Sequence, residues 1–208
     1  MTSPTVDLRA VIRALQVKKV SFVLVGAHSI GRYTGRPRAT KDVDILTKSG
    51  RNHARAVKAI SELYPELETR KLRSLTAFFR PGETESVIDV SFPNRDDNRA
   101  ALDTAIWVED KDLRYRVPTL EAALANKYGA MVSVTRDILK RGQDAIDFAL
   151  MVKHSMDEGQ TPIDLEQLRS LGDMVWPGGG GEEILRLVEQ VQAGKLIDVV
   201  ALVKSSES

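Results

Sequence analysis

Two short apolar segments of the chain have the composition of buried β-strands and contain aspartates. Asp42 and Asp44 open residues 42–47, and Asp89 interrupts the otherwise apolar residues 87–91. Because side chains alternate between the two faces of a strand, Asp42 and Asp44 must share a face. Two neighbouring carboxylates repel unless one is protonated or a cation neutralises them. Oxygen ligands without His or Cys favour Mg²⁺ or Mn²⁺, so the pattern predicts a divalent-metal site formed by the three aspartates.

The composition excludes several classes of protein. The chain has 208 residues, of which 42% are hydrophobic, 28% charged and 5% aromatic, so it is neither collagen-like nor disordered. It has no cysteine, which excludes disulfides, thiolate catalysis and cysteine-ligated zinc. No apolar run approaches the length of a membrane span, and the N-terminus does not resemble a signal peptide. We therefore expect a cytoplasmic protein without a membrane partner.

The charge is distributed unevenly along the chain. The net charge is +1, but residues 1–80 contain 16 Lys and Arg against 6 Asp and Glu, whereas residues 81–208 contain 14 against 23. This asymmetry favours an anionic partner for the first part of the chain. Two solvated faces of opposite charge are the alternative.

The first 92 residues have a mixed α/β pattern. Helical spacing of apolar residues precedes a β-rich segment, a glycine-punctuated loop, the first aspartate strand, a helix and a hairpin. The expected elements are a helix around Leu8–Leu15, strands at 20–25 and 43–47, a helix at 52–63, and hairpin strands at 75–80 and 87–92.

The rest of the chain is predominantly helical in pattern. Residues 94–98 are expected to be a polar connector and residues 176–181 a flexible joint. Weak strands are expected at 106–108 and 113–117, and helices at 119–131, 137–153, from Asp164, at 182–192 and at 196–203. The fold class is thus α/β (α+β), with an N-terminal module of residues 1–117 and a helical module of residues 118–208 packed on it.

The segment between the first two strands has the features of a phosphate site. Gly26 follows the strand and lets the backbone approach a phosphate, and a helix start supplies N–H donors. No acidic residue lies between Ser29 and Lys41, whereas the segment has several cations. These cations, Arg32, Arg36, Arg38 and Lys41, predict binding of a triphosphate or a nucleic-acid backbone.

Together these strings resemble the minimal nucleotidyltransferase pattern of the polymerase-beta superfamily, and within it the AbiEii/AbiGii-type toxin group. The resemblance covers about residues 20–150. It is carried by Val23-Leu-Val-Gly26-Ala27-His28-Ser29, by Gly35-Arg-Pro-Arg38-Ala-Thr40-Lys41-Asp42-Val-Asp44-Ile-Leu, and by Val87-Ile-Asp89-Val. Lys127 and Gln143-Asp144-Ala-Ile-Asp147 fall where that group has a helical Lys and a Lys-Asp-x-x-Asp string. The resemblance implies a nucleotidyltransferase core with a mixed sheet, followed by a helical module.

The resemblance also implies roles for individual residues. Asp42 and Asp44 would bind two metal ions, and Asp89 would hold one of them while helping to activate the acceptor hydroxyl. The nucleotide would contact Gly26, Ala27, His28, Ser29, Arg38, Lys41, Lys127 and Asp144. The implied substrates are an NTP and an RNA acceptor, in particular a tRNA 3′ end, and the implied protein partner is an antitoxin. Transfer to a protein or to a small molecule is the alternative within this class.

Other interpretations remain at this stage. Ala27-His28-Ser29-Ile-Gly31 resembles a hydrolase nucleophile elbow with His154 as the base, but too few strands precede it for that fold. A DxD string also occurs in glycosyltransferases. A non-catalytic module that binds RNA or a protein partner is a further possibility. Within the helical module, Lys127 could extend to solvent, and Asp144 and Asp147 could pair with Arg141 or Lys140.

Overall fold

The computed structural model describes residues 6–36, 40, 42–73, 75–93 and 96–206, apart from the side chains of residues 97 and 203–206. The chain divides into two compact units. The first comprises Met1–Ser29 and Arg38–Pro118, and the second comprises Ile30–Pro37 and Thr119–Ser208.

The first unit contains a five-stranded mixed sheet, four helices and a two-stranded hairpin within its described part. Asp7 caps the first helix by accepting from the backbone N–H of Arg9, and Ser49 caps the third by accepting from that of Asn52. The elements are α1 (Leu8–Val17), β1 (Phe22–Val25), α2 (Gly26–Ile30), β2 (Val43–Thr47), α3 (Gly50–Leu63), β3 (Glu68–Lys71), β4 (Leu75–Phe79), β5 (Ser86–Ser91), α4 (Asp96–Asp103), β6 (Ile106–Asp110) and β7 (Leu113–Val117).

The sheet has the strand order β1-β2-β5-β4-β3. Strands β2 and β5 are parallel, and the other neighbours are antiparallel. The predicted mixed sheet is therefore confirmed, and the two aspartate strands lie side by side at its centre. Strands β6 and β7 form a separate hairpin.

One face of the sheet forms the apolar core of the first unit. Helices α1 and α3 contribute to this core, together with β6 and β7. The strand residues on this face alternate with those that point to the opposite face. The buried strand residues of the core are Phe22, Leu24, Val43, Ile45, Phe78, Val87, Ile88 and Val90, with Val87 at a register irregularity between β4 and β5. The opposite face also buries apolar residues, among them Val23, Leu46 and Ala77. It carries Asp44 between Val43 and Ile45, and Asp89 between Ile88 and Val90.

Two elements were not predicted from the sequence. Strand β3 forms the edge of the sheet, and all four of its residues are exposed, so it has no apolar alternation to detect. Helix α4 replaces part of the connector expected at residues 94–98, and that expectation was wrong. Ala101 and Leu102 are the two residues that α4 buries. Strand β3 is held by backbone pairing with β4, the next strand in the chain, and α4 by packing against β1 and β2.

The second unit is helical. Its helices are α5 (Leu120–Val132), α6 (Ile138–Ser155), α7 (Leu165–Val175), α8 (Gly180–Gln192) and α9 (Val199–Ser206), and residues Gly31–Tyr33 add a short 3-10 turn. Thr119 and Asp164 cap α5 and α7 as predicted. Within the expected flexible joint at 176–181, Gly178 and Gly179 have open space around them, whereas Gly180 and Gly181 begin α8 and lie close to α7. A Cβ on Gly172 would lie 2.6 Å from the backbone oxygen of Gly180.

No helix within the described ranges is both long and apolar enough to cross a membrane.

His53 links α3 to the sheet and makes the stability of the fold sensitive to pH. Its Nε2 donates to the backbone oxygen of Val90 over 3.1 Å, and its ring contacts Phe92 edge-on. Burial lowers the pKa of His53, an effect larger than the opposing hydrogen bond to Val90. The folded state therefore resists protonation, and the unfolded chain takes up a proton first as the pH falls.

The free energy of unfolding is therefore expected to be highest above pH 6.5 and to decrease as the pH falls from 6.5 through the lower pKa of folded His53. Denaturant unfolding between pH 7.5 and 5 measures this decrease. His53→Gln keeps a donor for Val90 and removes the titration, so its decrease should be smaller. An identical pH dependence in both proteins would contradict the assignment.

Candidate active site

The sheet places Asp44 and Asp89 next to each other. Asp44 of β2 is the register partner of Asp89 in the parallel strand β5, and Val25 of β1 is the partner of Asp44 on its other side. Neighbouring strands are about 4.8 Å apart, and register partners point to the same face. Asp89 Oδ1 is a buried atom. The structure thus brings two of the three predicted metal ligands together on the face opposite the core.

Gly26 lies against the carboxylate of Asp44. It has a φ of +67°, which glycine adopts readily. A Cβ at this position would lie 2.7 Å from Asp44 Cγ, closer than any real Cβ contact. The backbone at the start of α2 therefore approaches the carboxylate pair as only glycine allows.

Asp42 lies immediately before β2 and is exposed. Thr40 Oγ1 donates a hydrogen bond to Asp42 Oδ1. Burial lowers the pKa of His28, and the negative charge of Asp42 opposes that effect. His28 and Asp42 are thus close enough to interact electrostatically, and His28 favours its neutral form.

The start of α2 contains the other predicted phosphate contacts. Ala27 and Ser29 are buried. Ser29 Oγ donates to the backbone oxygen of Gly26 over 2.8 Å, so its proton is used within the helix. The hydrolase interpretation requires a histidine that accepts the proton of Ser29, whereas Ser29 donates it to the backbone oxygen of Gly26. Arg32 and Arg36 are exposed, and Arg38 and Lys41 lie outside the described residues.

Lys127 and Asp144 lie in the second unit, within a buried cluster of charges. Lys127 Nζ is 2.8 Å from Asp144 Oδ1 and 2.7 Å from Asp147 Oδ2. Arg136 Nε is 2.6 Å from Asp144 Oδ2, and Gln143 Nε2 donates to Asp147 Oδ1 over 3.1 Å. Lys127 Nζ is thus held between two buried carboxylates, so Lys127 does not extend into solvent.

Pairing of these carboxylates with Arg141 or Lys140 was a wrong expectation. Arg141 instead donates to two backbone oxygens, those of Met131 over 2.6 Å and of Val199. The spacing of three or four residues along a helix suggested the wrong partners, because Lys127 comes from α5 and Arg136 from the loop between helices. Sequence reasoning missed Arg136, and helical spacing alone offered no signal for it.

The donor set fits a divalent cation. Among the residues that the structure describes, no group of three or more His, Cys, Asp or Glu side chains is placed to hold a metal ion. Asp44 and Asp89 nevertheless supply adjacent carboxylate oxygens. Mg²⁺ is commonly bound through one or two carboxylates, with water and substrate phosphates as the other ligands. The pair therefore suits an ion that arrives with a nucleotide.

The contact between Gly26 and Asp44 can be tested by substitution. Gly26→Ala is expected to destabilise the first unit by about 2 kcal/mol or more, since it combines the positive φ with a collision against Asp44. Gly82→Ala is the matched control, because Gly82 has a φ of +78° and open space around it. Chemical denaturation compares the two. Equal losses would show that backbone strain, rather than the carboxylate contact, sets the cost.

The mixed sheet with its central carboxylate pair defines the chain as having a nucleotidyltransferase fold, and solved structures agree. An antigenic nucleotidyltransferase-like protein from Paracoccidioides brasiliensis aligns with a TM-score of 0.50 at 16% identity, over 91% of each chain. The solution structure of the antibiotic-resistance factor ANT(2″)-Ia aligns with a TM-score of 0.51 at 12% identity, over 90% of this chain and 95% of that one. At these identities the likeness establishes the fold alone.

The sequence identifies the family. The model for the nucleotidyl transferase AbiEii toxin family, described as a type IV toxin–antitoxin system, matches residues 9–175. The chain therefore belongs to the AbiEii family and is a nucleotidyltransferase, as the resemblance had implied. The search of curated proteins finds no match.

Proposed function

We propose that this protein transfers a nucleoside monophosphate from an NTP to the 3′ end of an RNA, with tRNA as the acceptor. It acts as the toxin of a toxin–antitoxin pair. The observation that carries the proposal is the adjacent pair Asp44 and Asp89, with Gly26 held against it. Family membership supports nucleotidyl transfer, and the excess of cations in residues 1–80 supports an anionic acceptor.

The reaction is an in-line displacement at phosphorus. The acceptor hydroxyl oxygen bonds to the α-phosphorus, and the bond from that phosphorus to the oxygen leading to the β-phosphate breaks. Pyrophosphate leaves with the bonding electron pair. Mg²⁺ or Mn²⁺, held by Asp42, Asp44 and Asp89, would supply charge stabilisation to the attacking and leaving oxygens. In this scheme Asp89 Oδ2 accepts the proton of the hydroxyl, and the backbone at Gly26 and Ala27 binds the phosphates.

Four of the predicted nucleotide contacts lie outside the carboxylate pair and the start of α2. Lys127 and Asp144 are paired within the second unit, and Arg38 and Lys41 lie outside the described residues. Their contacts with the nucleotide stay predictions. Antitoxin partnership rests on the description of the family.

The test is transfer of label from each α-³²P-labelled NTP in the presence of Mg²⁺ and total tRNA. RNA, protein and small-molecule fractions are counted separately, for the wild type and for the Asp42→Ala/Asp44→Ala double variant. Label in RNA from the wild type alone would support the proposal and identify the nucleotide. Label in protein or in small molecules would assign a different acceptor to the same chemistry.

Two further outcomes concern the metal and the enzymatic role. Chelation of Mg²⁺ with EDTA should abolish labelling, and added Mg²⁺ or Mn²⁺ should restore it. If neither protein labels any fraction and both bind RNA tightly, the non-catalytic binding module is the better account.

A further inference from the structure

Strand β3 presents a cluster of cations along the outer edge of the sheet. We call Arg70, Lys71 and Arg73 the edge-strand surface. All three side chains are exposed, and the strand has β4 as its one neighbour in the sheet. The guanidinium carbon of Arg70 lies 4.3 Å from the centroid of the Phe79 ring. This stacking holds Arg70 in place and leaves its N–H groups available.

The cations of this surface have no acidic partners among the described residues. Three other exposed cations of the first unit are paired: Lys18 with Glu62 at 2.8 Å, Arg99 with Asp96, and Arg114 with Glu109 at 3.8 Å. Five more exposed cations of this unit also have no ion pair among the described residues: Lys19, Lys48, Arg51, Arg55 and Lys111. No ion pair within the described ranges includes Arg70, Lys71 or Arg73. The one acidic residue of β3, Glu68, lies two residues from Arg70 on the same face, so this surface keeps an excess of positive charge, which suits a polyanion.

Protection of the sheet edge against pairing with another chain explains only part of this cluster of cations. Charged residues on an edge strand discourage pairing with another chain, and one lysine is often sufficient. That role does not require an arginine stacked on an aromatic ring or a further arginine in the turn after the strand. An exposed guanidinium held by a ring is instead suited to a phosphate or to a nucleobase.

Arg70 lies on the same face of the sheet as the carboxylate pair. The register runs across the sheet from Asp44 to Asp89, then to Ala77 and then to Arg70. Register partners share a face, and Asp89 and Arg70 are two strand spacings apart, which is about 10 Å. Lys71 lies on the other face of β3, so the edge-strand surface extends around the edge.

We propose that the edge-strand surface binds the phosphodiester backbone of the RNA acceptor and positions it relative to Asp44 and Asp89. This inference rests on the proposed RNA acceptor and deepens it by assigning the surface that binds the polymer. Arg70 contacts a phosphate on the carboxylate face, and Lys71 and Arg73 contact neighbouring phosphates around the edge. Arg70 is a positioning residue, because it takes no part in the bond changes.

The test measures binding apart from turnover. Fluorescein-labelled tRNA is titrated with the full-length protein in EDTA, over a range of KCl concentrations, with anisotropy as the signal. The variant Arg70→Gln/Lys71→Gln/Arg73→Gln is compared with the control Lys18→Gln/Arg99→Gln/Arg114→Gln, which removes the same charge from paired positions. We expect the first variant to bind at least about tenfold more weakly and its salt slope to fall by about 2, whereas the control keeps both values.

Kinetics with tRNA and NTP provide the second measurement. The edge variant should raise the KM for tRNA and leave the KM for NTP unchanged. Equal binding losses in the two variants would overturn the proposal, since net charge alone would then explain them. Undiminished binding by the edge variant would also overturn it, and transfer to RNA by the wild type would show that the proposed function itself stands. Absence of RNA binding by the wild type would also overturn this proposal. If the labelling assay then puts the nucleotide into protein or small molecules, RNA was the wrong acceptor and nucleotidyl transfer itself stands.

Discussion

Replacing Asp44 with Asn is expected to lower the rate of nucleotidyl transfer by about 10³-fold, which corresponds to about 4 kcal/mol of transition-state stabilisation. The substitution keeps the size of the side chain and removes one of the two charges that lie in register at the centre of the sheet. A neutral amide is a poor ligand for Mg²⁺, so the attacking and leaving oxygens would lose their charge stabilisation. Initial rates with saturating NTP and tRNA measure the loss.

The thermal stability of the same variant separates catalysis from folding. Asp44→Asn relieves repulsion from Asp89, so the melting temperature should stay within about 2 °C of the wild-type value or rise. Asp96→Asn is the matched control, because Asp96 lies on α4 and pairs with Arg99 outside the carboxylate pair. It should keep wild-type activity. Transfer by Asp44→Asn within about tenfold of the wild-type rate would contradict the assignment.

Asp89→Asn should lose activity to a similar extent, and the double variant should lose little more than either single one. Residues that act as one unit in catalysis are not additive, because removing one member already disables the site. Additive losses would mean that Asp44 and Asp89 act independently. That result would contradict a shared metal site while leaving each residue a role in the reaction.

Strands β2 and β5 show how far the sequence determines the site. The apolar pattern predicted both strands and placed Asp44 and Asp89 on the face opposite the core, as the structure confirms, whereas Asp42 lies just before β2. The adjacency of the two strands could not be derived in this way, because about 40 residues separate them and no local pattern specifies parallel pairing. The prediction of a site with three aspartates assumed this adjacency, and the structure shows it for Asp44 and Asp89.

Elements without apolar periodicity were the ones missed. Strand β3 is held by backbone pairing with β4, and α4 buries few residues, so neither imposes a pattern on its own sequence. The glycines near residue 178 look like a hinge in sequence, yet Gly180 allows α7 and α8 to approach closely. Glycines occur both in flexible loops and at close helix contacts. The sequence of the segment does not distinguish the two cases, because the contact depends on the position of the other helix.

Helix caps were predictable from the sequence, whereas the ion pairs of the buried cluster were not. Caps such as Thr119 and Asp164 were predicted correctly because their partners lie within three residues. The partners of Asp144 lie 17 and 8 residues away, in α5 and in the loop that follows it. Sequence reasoning therefore identified Lys127, Asp144 and Asp147 without their mutual contacts, and it missed Arg136.

The second large expected effect concerns this cluster. Lys127→Met should lower the free energy of unfolding by about 3–5 kcal/mol, because it removes the ammonium group that bonds both buried carboxylates, Asp144 and Asp147. The side chains of both aspartates are almost fully buried, so water cannot replace the lost ammonium. For a chain of this length the melting temperature should fall by about 10 °C, as differential scanning calorimetry can measure.

A second substitution separates stability from nucleotide binding. Lys127→Met/Asp147→Asn removes one carboxylate with the lysine and leaves the Asp144–Arg136 pair, so it should recover most of the lost stability. If Lys127 is purely structural, the double variant should also regain the wild-type KM for NTP. A folded double variant with a KM raised tenfold or more would instead show that the ammonium contacts the triphosphate in the working enzyme. A single Lys127→Met variant as stable as the wild type would refute the structural role, because the two buried carboxylates would then not need their cation.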